Sequence, residues 1–217
     1  MNLSALFLAI FIIGTILFIF LMSGGVPGSL QSILYRSIPA SMNLRSFLKT
    51  ESKSRKRQSL YLFSEEPVIS MGHKFKGRFD QAVFRSGKVP RLELIIERKF
   101  PTKYLPSKIR EEDMFQAGLY ALAIQESGVS CSNTRLVTVY CLQDNAMTCA
   151  KKRNTTDCVK CNLGKVFTRK YKQKSVLKDL EILDEIWFHS RKPIANPDEK
   201  CRACPYSKNG KCQYSIY

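Results

Sequence analysis

Alternating apolar runs interleaved with stretches of helical periodicity predict an α/β fold for this 217-residue chain. Three segments carry that expectation. Leu92 to Lys99 alternates apolar and polar residues with the period of a strand. Ile109 to Gln125 carries Met114, Phe115, Leu119, Leu122 and Ala123 at three-and-four spacing, and Ser175 to Ser190 carries Val176, Leu177, Leu180, Leu183 and Trp187 in the same way. Each of these two reads as a helix.

Residues 1–23 come first. Ala5 to Met22 is an apolar stretch of eighteen residues interrupted only by Gly14 and Thr15, enough to cross a bilayer as a helix. A secretory signal peptide is the competing reading, with Ser23-Gly24-Gly25 as a small-residue cleavage site, but Met1 to Ser4 lacks the basic residues such a peptide uses. The first charged residue is Arg36, and Arg45, Lys49, Lys53, Arg55, Lys56 and Arg57 follow. Positive charge beside a span stays in the cytoplasm, so a single-pass membrane protein with its main domain in the cytoplasm is expected. There the eight cysteines meet a reducing compartment, and Cys-x-x-Cys pairs favour metal over disulfides.

Residues 24–58 read as a linker and basic juxtamembrane region, loosely helical around Ile33, Leu34, Leu44, Phe47 and Leu48. With the span uncharged, the whole net charge of +17 falls on residues 36–217. A surface so basic suits the phosphates of nucleic acid, and the Lys49 to Arg57 cluster equally suits anionic lipid. DNA and the membrane are the expected partners.

Residues 59–200 read as the catalytic core. Leu60 to Phe63 and Pro67 to Met71 are expected as short strands around Glu65 and Glu66, with His73 to Val83 continuing the meander. Arg135 to Leu142 and Gly164 to Tyr171 are further strands, separated by an insertion with Cys158 and Cys161. Asp80, in Gly77-Arg78-Phe79-Asp80, is followed after sixteen residues by Glu97-Arg98-Lys99. Side chains two apart on a strand share a face, so Glu97 and Lys99 point together, and Asp80 from a neighbouring strand completes a carboxylate pair. Two such carboxylates make a hard oxygen site for Mg2+ or Mn2+, beside which a lysine can orient water and offset phosphate charge. No glycine loop able to cradle phosphates is found, which argues against an attached helicase or ATPase motor.

Gln116 and Tyr120 lie four apart, one turn from each other on the helix after that strand. A strand with aspartate, a strand with Glu-x-Lys, then a helix with Gln-x-x-x-Tyr resembles the RecB-like members of the PD-(D/E)XK nucleases. The end of the chain, Lys200-Cys201-Arg202-Ala203-Cys204-Pro205-Tyr206 with Cys212, is similar to the cysteine cluster that closes the CRISPR-associated RecB-like exonucleases, a likeness running from about Phe63 to Cys212. The resemblance implies a restriction-endonuclease-like core, a mixed central sheet flanked by helices, and a metal-dependent deoxyribonuclease acting on single strands or ends. It implies Asp80 and Glu97 as metal ligands, Lys99 as catalytic, and Gln116 and Tyr120 as supporting site residues. Related nucleases recruit another ligand from the region of Glu66 and His73, although both also read as exposed strand ends.

Residues 201–217 form the cysteine cluster. By resemblance, Cys201, Cys204 and Cys212 hold a 4Fe-4S iron-sulfur cluster, whose fourth ligand in the family comes from ahead of the core. This chain has no cysteine before Cys131, so Cys161, or Cys158, stands as the substitute. Two Cys-x-x-Cys pairs with Cys212 also suit tetrahedral Zn2+. Two other functions remain open at this level: a catalytically silent, metal-stabilised nucleic-acid-binding module, and a nuclease on RNA or branched DNA.

Overall fold

In a computed structural model that describes Thr15 and residues 30–50, 59–150, 158–159, 161–195, 197, 201–202 and 204–214, the chain forms two compact units, Met1–Gln173 and Lys174–Tyr217. The larger unit holds one six-stranded sheet: β1 (Ser37–Pro39), β2 (Leu60–Ser70), β3 (Phe75–Arg85), β4 (Arg91–Lys99), β5 (Arg135–Tyr140) and β6 (Lys165–Lys170), in spatial order of sequence. The β1–β2 and β4–β5 pairs are parallel and the others antiparallel, so the sheet is mixed, as expected. The helices are α1 (Leu30–Tyr35), α2 (Leu44–Lys49), α3 (Glu111–Glu126), α4 (Gln143–Ala150), α5 (Gln173–Phe188), which leads into the smaller unit, and α6 (Pro205–Lys208) within it.

Parallel β4 and β5 need a crossover, and α3 supplies it, packing on β2, β3, β4 and β5. Its fully buried Ala117 and Ala121 give the sheet little to clash with. Glu111, Glu112 and Asp113 in its first turn suit the positive helix N-terminus, and Gly128 at φ 87° turns the chain away after the end. The helix starts two residues later than its apolar spacing predicts because Arg110 is the extended N-cap.

Three expectations change. Residues 30–50 belong to the fold instead of to a linker: Ile33 and Leu34 join Leu60, Leu62, Val83, Leu94, Ile96, Val137 and Val139 in the core. Phe47 packs its ring 5.4 Å from Tyr61 and 5.1 Å from Phe63. Second, the two short strands before His73 are one, β2, which runs through Glu65 and Pro67. β1 covers β2 only from Leu60 to Leu62, so at Pro67 the β1 side of β2 has no strand partner among the described residues, an edge position of the kind that tolerates proline. Third, the expected core stripe of α5 is buried only at its start: Val176 is buried and Leu177 and Leu180 are half-buried, but Leu183 is exposed and Trp187 is 77% exposed. The expected transmembrane segment at residues 1–23 lies outside the described residues, Thr15 apart; among the described residues no helix is long and apolar enough to cross a membrane.

Candidate active site

The β3–β4 ladder closes at Gln81 opposite Ile96 and no further. At the next position the strands part, and side chains take over the backbone's role. The Asp80 N–H lies 3.4 Å from Glu97 Oε1 as donor, and the Arg98 N–H donates to Asp80 Oδ2 at 2.6 Å. β4 continues to Lys99 only because β5 still pairs with it on the other side, Lys99 lying opposite Tyr140. Asp80 and Glu97 therefore meet in the crotch of a sheet that is opening. The two acids expected to converge do so.

Glu97 is 2% exposed, and burial, followed by the charge of Asp80, pushes its carboxyl up from 4.5 to about 7. Lys99 opposes this, with Nζ 3.7 Å from Glu97 Oε2. The ammonium is held from two more directions. It donates to Gln116 Oε1 at 2.5 Å and sits 3.7 Å from Asp113 Oδ1. Gln116 in turn donates from Nε2 to the Tyr120 hydroxyl at 2.7 Å. Lys99, Gln116 and Tyr120 thus form one chain of hydrogen bonds running from strand to helix, which locks the amine beside the carboxylates.

Tyr120 also explains Gly77. A Cβ on Gly77 would stand 2.4 Å from Tyr120 Cε1, so a glycine is required where the hairpin passes the ring. Arg98 lines the other side of Asp80, its Nε 3.6 Å from Asp80 Oδ2 and its Nη2 donating to Glu65 Oε1 at 3.1 Å. Glu65 adopts φ 54°, a backbone conformation unusual for a non-glycine residue.

Asp113 and Tyr140 are the site residues that the sequence reading missed. The Tyr140 hydroxyl donates to Asp113 Oδ2 at 2.5 Å and accepts from the Arg110 N–H at 3.3 Å, and burial with the Asp113 carboxylate raises its pKa. Asp113 did carry a signal: at three residues before Gln116 and seven before Tyr120, it shares their helical stripe.

His73 stays outside this group. It occupies the β2–β3 turn, with Nε2 3.7 Å from Glu126 Oε1, and its N–H donates to Ser70 Oγ. Phe75 to Asp80 along β3 alone spans about 17 Å at ~3.4 Å per residue. Glu66 sits in register with Phe79, and its neighbour Glu65 is the one that reaches the Asp80 side through Arg98. Of the cysteines, Cys158 and Cys161 are in the larger unit, in a turn closed by the Cys161 N–H on the Cys158 carbonyl at 3.4 Å. Cys201 and Cys204 form a similar turn in the smaller unit, at 3.2 Å, and the Cys212 N–H donates to the Tyr206 carbonyl. Among the described residues, no three His, Cys, Asp or Glu side chains are gathered into a ready-made ion cage.

A pair of carboxylates, one buried and reluctant to ionise beside the other, is a donor set that a hard divalent cation relieves and that water ligands complete. With a fixed ammonium alongside, the arrangement can bind an ion, receive a phosphate oxygen and hold a water. Comparison of the chain with protein-family models finds no match, and comparison with curated proteins finds no significant match.

Proposed function

We propose that this chain is a Mg2+- or Mn2+-dependent nuclease of the RecB-like PD-(D/E)XK kind, with a restriction-endonuclease-like core, hydrolysing DNA phosphodiester bonds on single strands or ends. The observation that carries the reading is the joint position of Asp80, Glu97 and Lys99 at the opening of the β3–β4 ladder, with Lys99 tied to Gln116 and Tyr120. Asp80 and Glu97 would hold the ion, which when bound polarises the scissile phosphate and acidifies a water. Lys99 offsets charge on the phosphate and orients the attacking water through its N–H groups. Gln116, Tyr120 and Asp113 keep that amine in place.

Around this centre, the excess of 35 Lys and Arg over 18 Asp and Glu supports a polyanionic substrate. Lys103 and Lys108 are exposed in the loop from β4 to α3, where they can meet the strand beyond the cut. Residues 1–23 would tether the enzyme to the membrane with the nuclease facing the cytoplasm, and Cys201, Cys204 and Cys212 would contribute to an iron-sulfur cluster.

The test uses the full-length chain. Labelled single-stranded and duplex DNA should be degraded with Mg2+ or Mn2+ and not with chelator, and Glu97→Gln or Lys99→Ala should lower the rate by at least about a hundredfold. Cleavage unchanged by either substitution rejects the assignment. Metal-independent DNA binding without cleavage would instead favour a silent binding module.

A further inference from the structure

β5 ends at Tyr140, but the chain stays attached to β4 for two more turns of the ladder. The Cys141 N–H donates to the Lys99 carbonyl at 3.0 Å, and the Gln143 N–H to the Pro101 carbonyl at 3.1 Å. Cys141 is buried there. α4 follows at once and carries Cys149 in its last turn. The path back to β6 enters through the Cys158–Cys161 turn, which is anchored because Val159 belongs to the core and Cys158 packs against it.

The return strand then brings this turn to Cys141. Tyr140 lies opposite Lys165 in the β5–β6 register, and a Cβ on Gly164 would stand 2.7 Å from the Tyr140 carbonyl oxygen and 3.9 Å from Cys141 Cα. Only glycine permits so close an approach. Cys161 is three residues earlier, within about 10 Å of chain. α4 begins two residues after Cys141, and Cys149 stands six residues further, about 9 Å along the helix axis. Four cysteines thus sit on the segments that meet at one end of the sheet, in the order Cys-x7-Cys-x8-Cys-x2-Cys.

We propose that Cys141, Cys149, Cys158 and Cys161 are the ligands of a structural zinc ion that clamps α4 and the Cys158–Cys161 turn onto the end of β5. Four thiolates close a tetrahedral zinc site, and Cys-x2-Cys is a spacing that such sites use. All four belong to the larger unit, whereas Cys201, Cys204 and Cys212 belong to the smaller one. The Cys158–Cys161 pair is assigned to this ion on the close approach of Gly164 to Tyr140 and on the β5–β6 register. Among the described residues these thiols are not gathered into a ready-made cage, and zinc, by displacing their protons, would draw them together. Because Cys141 is bonded to the Lys99 carbonyl, the clamp also braces the strand end that carries the candidate catalytic amine. It holds whether or not the chain cuts nucleic acid.

Full-length protein purified without chelator should contain about one zinc per chain at this site. That zinc should survive serine replacement of Cys201, Cys204 and Cys212 together, and be lost in Cys158→Ser/Cys161→Ser and in Cys141→Ser. On the unsubstituted chain, which avoids any folding defect of the variants, alkylation read by mass spectrometry should find all four thiols protected until a chelator strips the zinc. Zinc retained after the Cys158→Ser/Cys161→Ser change overturns the proposal. So does alkylation of the four thiols that ignores the chelator, and iron with sulfide on these thiols overturns the choice of ion.

Discussion

Replacing Glu97 by glutamine should make the metal-free protein more stable above neutral pH. The Glu97 carboxyl is held at about 7 against an ordinary 4.5, first by burial and then by the Asp80 charge. Between those values the folded chain keeps a proton that the unfolded chain has released, so stability falls as pH rises through the window and levels off above it. The gap, at ~1.4 kcal/mol per pH unit, is worth roughly 3 kcal/mol. Little screening reduces it, since the side chain is 2% exposed. Glutamine keeps the shape without the titration. Urea unfolding followed by circular dichroism, in chelator and across about pH 4.5 to 8.5, should therefore show the wild-type midpoint falling with pH and the Glu97→Gln midpoint falling less, the two converging at the acid end. Mg2+ should restore the wild type at high pH and leave the variant unmoved, because a bound cation stabilises the ionised carboxylate. Parallel pH profiles for the two proteins would refute the reasoning, as they would mean that Glu97 titrates like a solvated acid.

Gly77→Ala should cost about 1–3 kcal/mol in a thermal or urea melt, because its Cβ would stand 2.4 Å from Tyr120 Cε1; most of the loss should vanish in a Tyr120→Ala background, and additive losses would contradict the clash. Asp113→Asn removes an ion partner of Lys99 and weakens the acceptor of the short Tyr140 hydrogen bond, so cleavage should drop at least about tenfold, with an effect on stability of about 1–3 kcal/mol. Unchanged DNA cleavage by that variant would remove Asp113 from the site. Arg169→Ala breaks a two-pronged but exposed pair with Glu111 and should cost under about 1 kcal/mol in urea unfolding, a larger loss showing that the pair is coupled to the α3 N-terminus.

The acid pair and the lysine were legible in the chain because a strand of period two, ending in Glu-Arg-Lys, leaves little choice about which residues share a face. Gln116 and Tyr120 were legible for the matching reason on a helix. Asp113 sits on that same stripe, but three consecutive acids at a helix start look like ordinary favourable charges at its N-terminus. Tyr140 had no local signal. Its role comes from register, the parallel pairing that sets it opposite Lys99. His73 is a candidate ligand only through the family resemblance and reads equally as an exposed strand end; the extended β3 carries it away from Asp80, in agreement with the second reading.

Local pattern by itself determined the element types of β3, β4, α3, β5, β6 and α5, because hydrophobic periodicity responds to burial over a few residues. It also determined which polar residues those elements would present together. Tertiary structure alone decided that Ile33 and Leu34 join the core, that β2 continues through Pro67, and that the chain entering β6 closes on Tyr140 at Gly164. Each of those outcomes depends on pairing between segments distant in sequence, whose stabilisation no local period encodes.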